Sequence, residues 1–154
     1  MKNEIYFDLL LSDKLEDMSS EDICDFLFDD IFGILTRKGF IYIAQHRIES
    51  RGQPVLLLVD FDNVAIMNRD LGYTAVNDKF HDFFQRLMDE RPDLLIGRCF
   101  SGDEILFATW RSNAEYLVKE IQGIKDIPQF SKYVSNESWN GTEKQIDILC
   151  QQLT

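Results

Sequence analysis

The chain has 154 residues, 45% of them hydrophobic and twelve of them Phe, which suits one folded domain with a real core and excludes a disordered chain. Its net charge of −11, from 27 acidic against 16 basic residues, leaves no basic stripe for tracking phosphates, so direct DNA or RNA binding is not expected. One nucleotide is a different matter, because a metal ion can neutralise a triphosphate locally. The longest apolar run, Pro54 to Val59, falls far short of the roughly 20 residues that span a bilayer, so no membrane association is expected. The opening MKNEIYFD lacks the pattern of a signal peptide, and Cys24, Cys99 and Cys150 follow no framework spacing. Both features fit a cytoplasmic protein with reduced thiols.

In chain order, Ile5 to Leu15 reads as a helix, broken at Asp17-Met18-Ser19-Ser20. Ser19 followed by Asp22 resembles a capping signal, and Ile23, Phe26, Leu27 and Ile31 recur at helical spacing. A further helix is expected from about Arg37 to Ser50, ended by Gly52 and Pro54. Val55 to Val59 is a continuous apolar run, as expected of a strand covered on both faces, and Asp60-Phe61-Asp62-Asn63 stops it. Ala75 to Glu90 reads as a helix with Phe80, Phe83, Phe84, Leu87 and Met88 on its inner side. Strands follow at Leu94 to Phe100 and Ile105 to Trp110, around the turn Ser101-Gly102-Asp103-Glu104. A helix capped by Ser112 and reaching Ile124, a strand from Phe130 to Ser135 and a helix from Thr142 to Leu153 complete the chain.

This order is β-α-β-β-α-β, the α+β ferredoxin-like palm arrangement, preceded by N-terminal helices. The domain division expected is a helical segment over 1–28 and a palm over 29–154. In that topology the first strand lies between the third and fourth and runs antiparallel to both, so its end meets the start of the third. Asp60 is thereby placed beside Asp103 and Glu104. Alone, Asp60 and Asp62 read as turn residues or caps, and SGDE as a hairpin corner. Together, three carboxylates at one sheet end repel each other unless a cation compensates. Mg²⁺ or Mn²⁺ suits oxygen ligands that share a site with phosphates, and two such ions can activate a hydroxyl and steady a pyrophosphate leaving group.

Three segments occur in register with a known family. Asp29 to Phe40, DDIFGILTRKGF, resembles DPLTGLxNRRGF; Val59 to Asp78, VDFDNVAIMNRDLGYTAVND, is similar to DxDxFKxxNDxxGHxxGD; and SGDEI stands where GGDEF would. These are motifs of GGDEF domains, which make cyclic di-GMP, and the resemblance covers about Asp29 to Trp110. It implies Asp60, Asp103 and Glu104 as catalytic residues. It also implies a two-ion site of Asp60, the Phe61 carbonyl, Asp103 and Glu104. Asn68 matches a base-contacting asparagine, Asn77 stands where a second base contact falls, and Ser101 and Gly102 lie where substrate approaches the backbone. The implied reaction joins nucleoside triphosphates into a cyclic dinucleotide, or a short cyclic oligonucleotide, across a homodimer. A minimal CRISPR-polymerase palm of phage-defence signalling is a related resemblance.

Departures concern recognition. Ala65 replaces a lysine, Asn77 an aspartate and Ser101 a glycine, while AKxxGRN does not occur and no product-inhibition RxxD stands just ahead of SGDEI. An amide both donates and accepts where a carboxylate only accepts, so guanine is not assured as the base. A degenerate nucleotide-binding or protein-interaction module is the alternative. His46 and His81 have no nucleophilic partner pattern and read as surface or helix-face residues.

Overall fold

The computed structural model describes residues 19–99, 103–124 and 128–154. The helix expected at Ile5 to Leu15 lies outside these residues. Helix α1 spans Ser20–Leu27, and the Ser19 side chain caps it by accepting from the Asp22 N–H at 3.1 Å. Ile31 does not continue its stripe and is 47% exposed. The helix ends because Phe28 turns extended and bridges Leu35, while the Asp29 carboxylate takes the Phe32 N–H at 2.7 Å. Helix α2, Arg37–Arg51, is capped by Thr36 and stopped at Gly52, whose φ of 82° favours glycine.

Strand β1 is Val55–Phe61, followed by α3 over Val64–Leu71 and α4 over Tyr73–Glu90. Helix α3 was not expected, and α4 begins before Ala75. The division falls at Gly72, at φ 85°, and the eight-residue α3 buries no residue fully. Strands β2, Leu95–Arg98, and β3, Glu104–Thr109, precede α5, Ala114–Gln122. Asn113, not Ser112, caps α5: its side-chain oxygen accepts the Tyr116 N–H at 2.8 Å, whereas the Ser112 hydroxyl is buried without a hydrogen bond. Strand β4 is Phe130–Asn136, and α6 is Glu143–Leu153.

The sheet order is β2-β3-β1-β4 with every pairing antiparallel, as the β-α-β-β-α-β pattern requires. Side chains alternate along β1. Leu57, Val59 and Phe61 face a core shared with Phe80 and Phe84 of α4 and Leu117 and Ile121 of α5. Leu56 and Leu58 face a second core with Phe40 and Ile43 of α2 and Ile146 and Leu149 of α6. Burial on both faces explains why β1 is an unbroken apolar run. Its central position also fixes where it ends: Asp60 emerges at the sheet end between β3 and β4.

Candidate active site

Asp60 pairs with Glu104 across β1 and β3, and with Lys132 across β1 and β4. The Phe61 N–H donates to the Asp103 carbonyl at 3.1 Å, so that neighbouring pair is hydrogen-bonded and the Asp60–Glu104 pair is the close-set, non-bonded kind. By the alternation of each strand, both carboxylates stand on the α2–α6 face of the sheet. Burial pushes the Asp60 carboxyl above its ordinary pKa; Asp103 and Asp62 push it further, and Lys132 opposes them. Burial also raises Glu104, joined by the charges of Asp60 and Asp103. The three acids therefore feel one another, although they come from turns 43 residues apart in sequence. They do not form a tight cage: among the described residues, only Cys99, Glu104 and Cys150 bring three ligand atoms all within 4.8 Å.

Asp62, from the same acidic stretch, is engaged differently. Its carboxylate accepts from the Ser131 N–H at 3.2 Å and the Ser131 hydroxyl at 2.9 Å, holding the end of β1 to β4. The turn reading suits Asp62, and Asp60 is left for other work.

Asp103 borders a cleft of about 520 Å³ walled by α3, α4 and β2. Asn68 and Asn77 both line this cleft, with Ala65 beside them. The Asn68 side-chain oxygen is buried without a hydrogen-bond partner, a state that costs about 1–3 kcal/mol unless a ligand supplies a donor. Ser101 and Gly102 lie outside the described residues. Phe61 contributes its backbone at the sheet end while its ring packs edge-on against Phe80 and Phe130.

Two basic residues at the site escaped the sequence reading. Arg98 lines the cleft, lies 4.6 Å over the Phe32 ring and pairs with Asp29 at 2.8 Å. The segment Asp29 to Phe40 thus supports one wall: Asp29 holds Arg98, and Leu35 bridges Gly97 at the edge of β2. The second is Lys132, placed by a register shift in β4 opposite Asp60 and Phe61 that no local pattern announces.

The donor set fits a hard divalent cation. Asp60, Asp103, Glu104 and the Phe61 carbonyl offer oxygen only, and Asp60 and Glu104 have pKa values raised by burial and by neighbouring carboxylates, whose charge such an ion would relieve.

Comparison with solved structures decides the fold. A diguanylate cyclase/phosphodiesterase from Caldicellulosiruptor saccharolyticus superposes with a TM-score of 0.64 at 9% identity, over 84% of this chain and 85% of that one. A microbial GGDEF domain, studied for its interaction with cyclic di-GMP, gives 0.62 at 21% identity, over 83% and 88%. This chain has the GGDEF-domain fold. The GGDEF domain of DgcB from Caulobacter crescentus, solved in complex with c-di-GMP, gives 0.56 at 15% identity over 82% of each chain. No family model and no curated protein matches the sequence. Among the described residues, no helix of this GGDEF-fold chain is long and apolar enough to cross a membrane.

Proposed function

We propose that the chain is a nucleotidyltransferase of the cyclase type, joining nucleoside triphosphates through 3′-hydroxyl attack on an α-phosphate with release of pyrophosphate. The observation that carries this reading is the pairing of Asp60 with Glu104 at a sheet end beside Asp103, which borders the cleft that also holds the unpartnered Asn68 oxygen. The neighbours of like fold, two of them described with cyclic di-GMP, support it.

In this reading Asp60, Asp103, Glu104 and the Phe61 carbonyl hold Mg²⁺ or Mn²⁺. The ions, when bound, lower the pKa of the attacking hydroxyl and balance charge on the leaving pyrophosphate. Asn68 accepts a hydrogen bond from the base, and Asn77 lines the same wall as a contact able to donate or accept. Arg98, fixed by Asp29 and Phe32, sets a positive charge at the cleft where phosphates are drawn in. A cyclic product needs two such sites facing each other, so the working unit is a homodimer.

The test is incubation with all four nucleoside triphosphates and either metal, with the products resolved. A cyclic or short linear oligonucleotide plus pyrophosphate is expected, and no pyrophosphate from any mixture contradicts the reading.

A second reading is a nucleotide-binding module without turnover. Ala65 and Asn77 favour it, because both line the cleft where the family has a lysine and an aspartate. Calorimetry that shows nucleotide binding, with no product formed, would select it.

A further inference from the structure

Behind the acidic turn, on the α2–α6 face, lies a sulfur cluster that nucleotidyl transfer does not use. Cys99 leaves β2 just before the turn, and Cys150 sits on α6. Their sulfurs lie 3.4 Å apart across 51 residues of sequence. A Glu104 carboxylate oxygen and the two sulfurs all fall within 4.8 Å of one another. The Arg37 guanidinium donates to the Cys99 sulfur at 3.4 Å, and its other nitrogens reach Glu143 and Asp147 of α6 at 3.1 and 2.8 Å.

We propose that Cys99, Cys150 and Glu104 form a site for a thiophilic divalent cation of the Zn²⁺ class, adjoining the oxygen-lined site and sharing Glu104 with it. The donor types are those zinc takes, and its bonds of about 2.3 Å to sulfur and about 2.0 Å to oxygen require ligand atoms roughly 3.5–3.8 Å apart. The cluster therefore needs only small side-chain shifts to close on an ion. Sulfur ligands exclude Mg²⁺, so the two sites differ in chemistry as well as position. Binding releases the two thiol protons to solvent. Two thiolates and one carboxylate carry three negative charges. A dication leaves one, next to the Arg37 guanidinium, whose N–H also orients the Cys99 sulfur.

The ligands join three separate pieces of the fold: the exit of β2, the first residue of β3 and the C-terminal helix. An ion here ties the base of the acidic turn to α6 and draws the Glu104 carboxylate away from Asp60. The site does not depend on the nucleotidyl-transfer reading, since the ligands and their spacing stand without any substrate.

Titrating the reduced, metal-free full chain with Cd²⁺ tests it through the ultraviolet thiolate-to-metal absorption. The expected result is saturation at one ion per chain, with Zn²⁺ displacing Cd²⁺ and Mg²⁺ failing to. Cys150→Ser and Glu104→Gln should each weaken binding by about tenfold or more, and Cys24→Ser, on exposed Cys24, should leave it unchanged. Cys150 is only half-buried, so its serine variant keeps the test open even where Cys99→Ser disturbs the core. No thiolate absorption, its loss in Cys24→Ser, or parental affinity in Glu104→Gln would overturn the proposal.

Discussion

Asp60 and Glu104 stand directly opposite each other on adjacent strands, two carboxylates in the close-set position of an antiparallel pair. Like charges placed so are destabilising. The fold keeps them together although burial raises both pKa values, with the Asp103 charge adding to each and the Asp60 charge adding to Glu104.

That arrangement fixes the direction of a pH dependence. A carboxyl whose pKa is raised on folding holds its proton more tightly in the folded chain than in the unfolded one. Stability from Asp60 and Glu104 is therefore highest in acid below the ordinary carboxylate range. It falls as pH rises through the raised folded values and is flat above them. In urea titrations with chelator present, Asp60→Asn and Glu104→Gln should each remove part of this fall and exceed the parent in stability at neutral pH. Saturating Mg²⁺ should stabilise the parent and neither variant to the same extent, by about 2.7 kcal/mol at a hundred times the dissociation constant. Equal Mg²⁺ stabilisation of parent and Asp60→Asn would remove Asp60 from the metal site.

Asp93 should show the opposite slope. Burial pushes its carboxyl up, but the hydrogen bonds and charge of Arg91 outweigh this and hold it below the ordinary range. Its contribution is present above the ordinary carboxylate value and is lost as pH falls through the lowered folded one. Arg91 also pairs with Glu120 and donates to Thr109, so Asp93→Asn leaves a half-buried cation partly uncompensated. Asp93→Asn should lower stability at pH 7 and narrow the acid-limb difference from the parent, measured by thermal unfolding across pH.

Asn68→Ala separates recognition from folding. Removing a buried acceptor without a partner should leave stability unchanged or raise it by about 1 kcal/mol, whereas the lost contact should weaken nucleotide binding by about tenfold. Calorimetry and urea unfolding on the same preparation read both quantities. Lost stability with unchanged affinity would mean the oxygen has another role.

Gly97 tests the packing behind the cleft wall. A Cβ there would sit 2.8 Å from Phe40 Cβ, with the Phe40 ring next to it, so Gly97→Ala forces β2 and α2 apart. A loss of about 1–3 kcal/mol is expected, read as a lower urea midpoint.

Much of this was legible in sequence because periodicity and strand order are local signals. The apolar run before Asp60 and the two strands flanking SGDE sufficed to bring Asp60 to Glu104. Ile31 misled because an apolar residue in helical phase continues the pattern on paper; Asp29 capping Phe32 ends the helix first. Helix α3 was missed because it is short: Val64 and Met67 only partly bury against the core, while Ile66 and Leu71 stay exposed. Lys132 and the Cys99–Cys150 contact depend on a register shift and on the docking of α6, and neither leaves a trace in spacing.

Pyrophosphate release by Asp103→Asn and Asp62→Asn, measured beside the parent with the same triphosphates and Mn²⁺, tests the central claim most directly. Asp103 borders the cleft, whereas Asp62 is occupied with Ser131, and an asparagine there still accepts both hydrogen bonds. Asp103→Asn should lose activity by about a hundredfold or more while Asp62→Asn stays near the parent. Equal rates from Asp103→Asn and the parent would contradict the account.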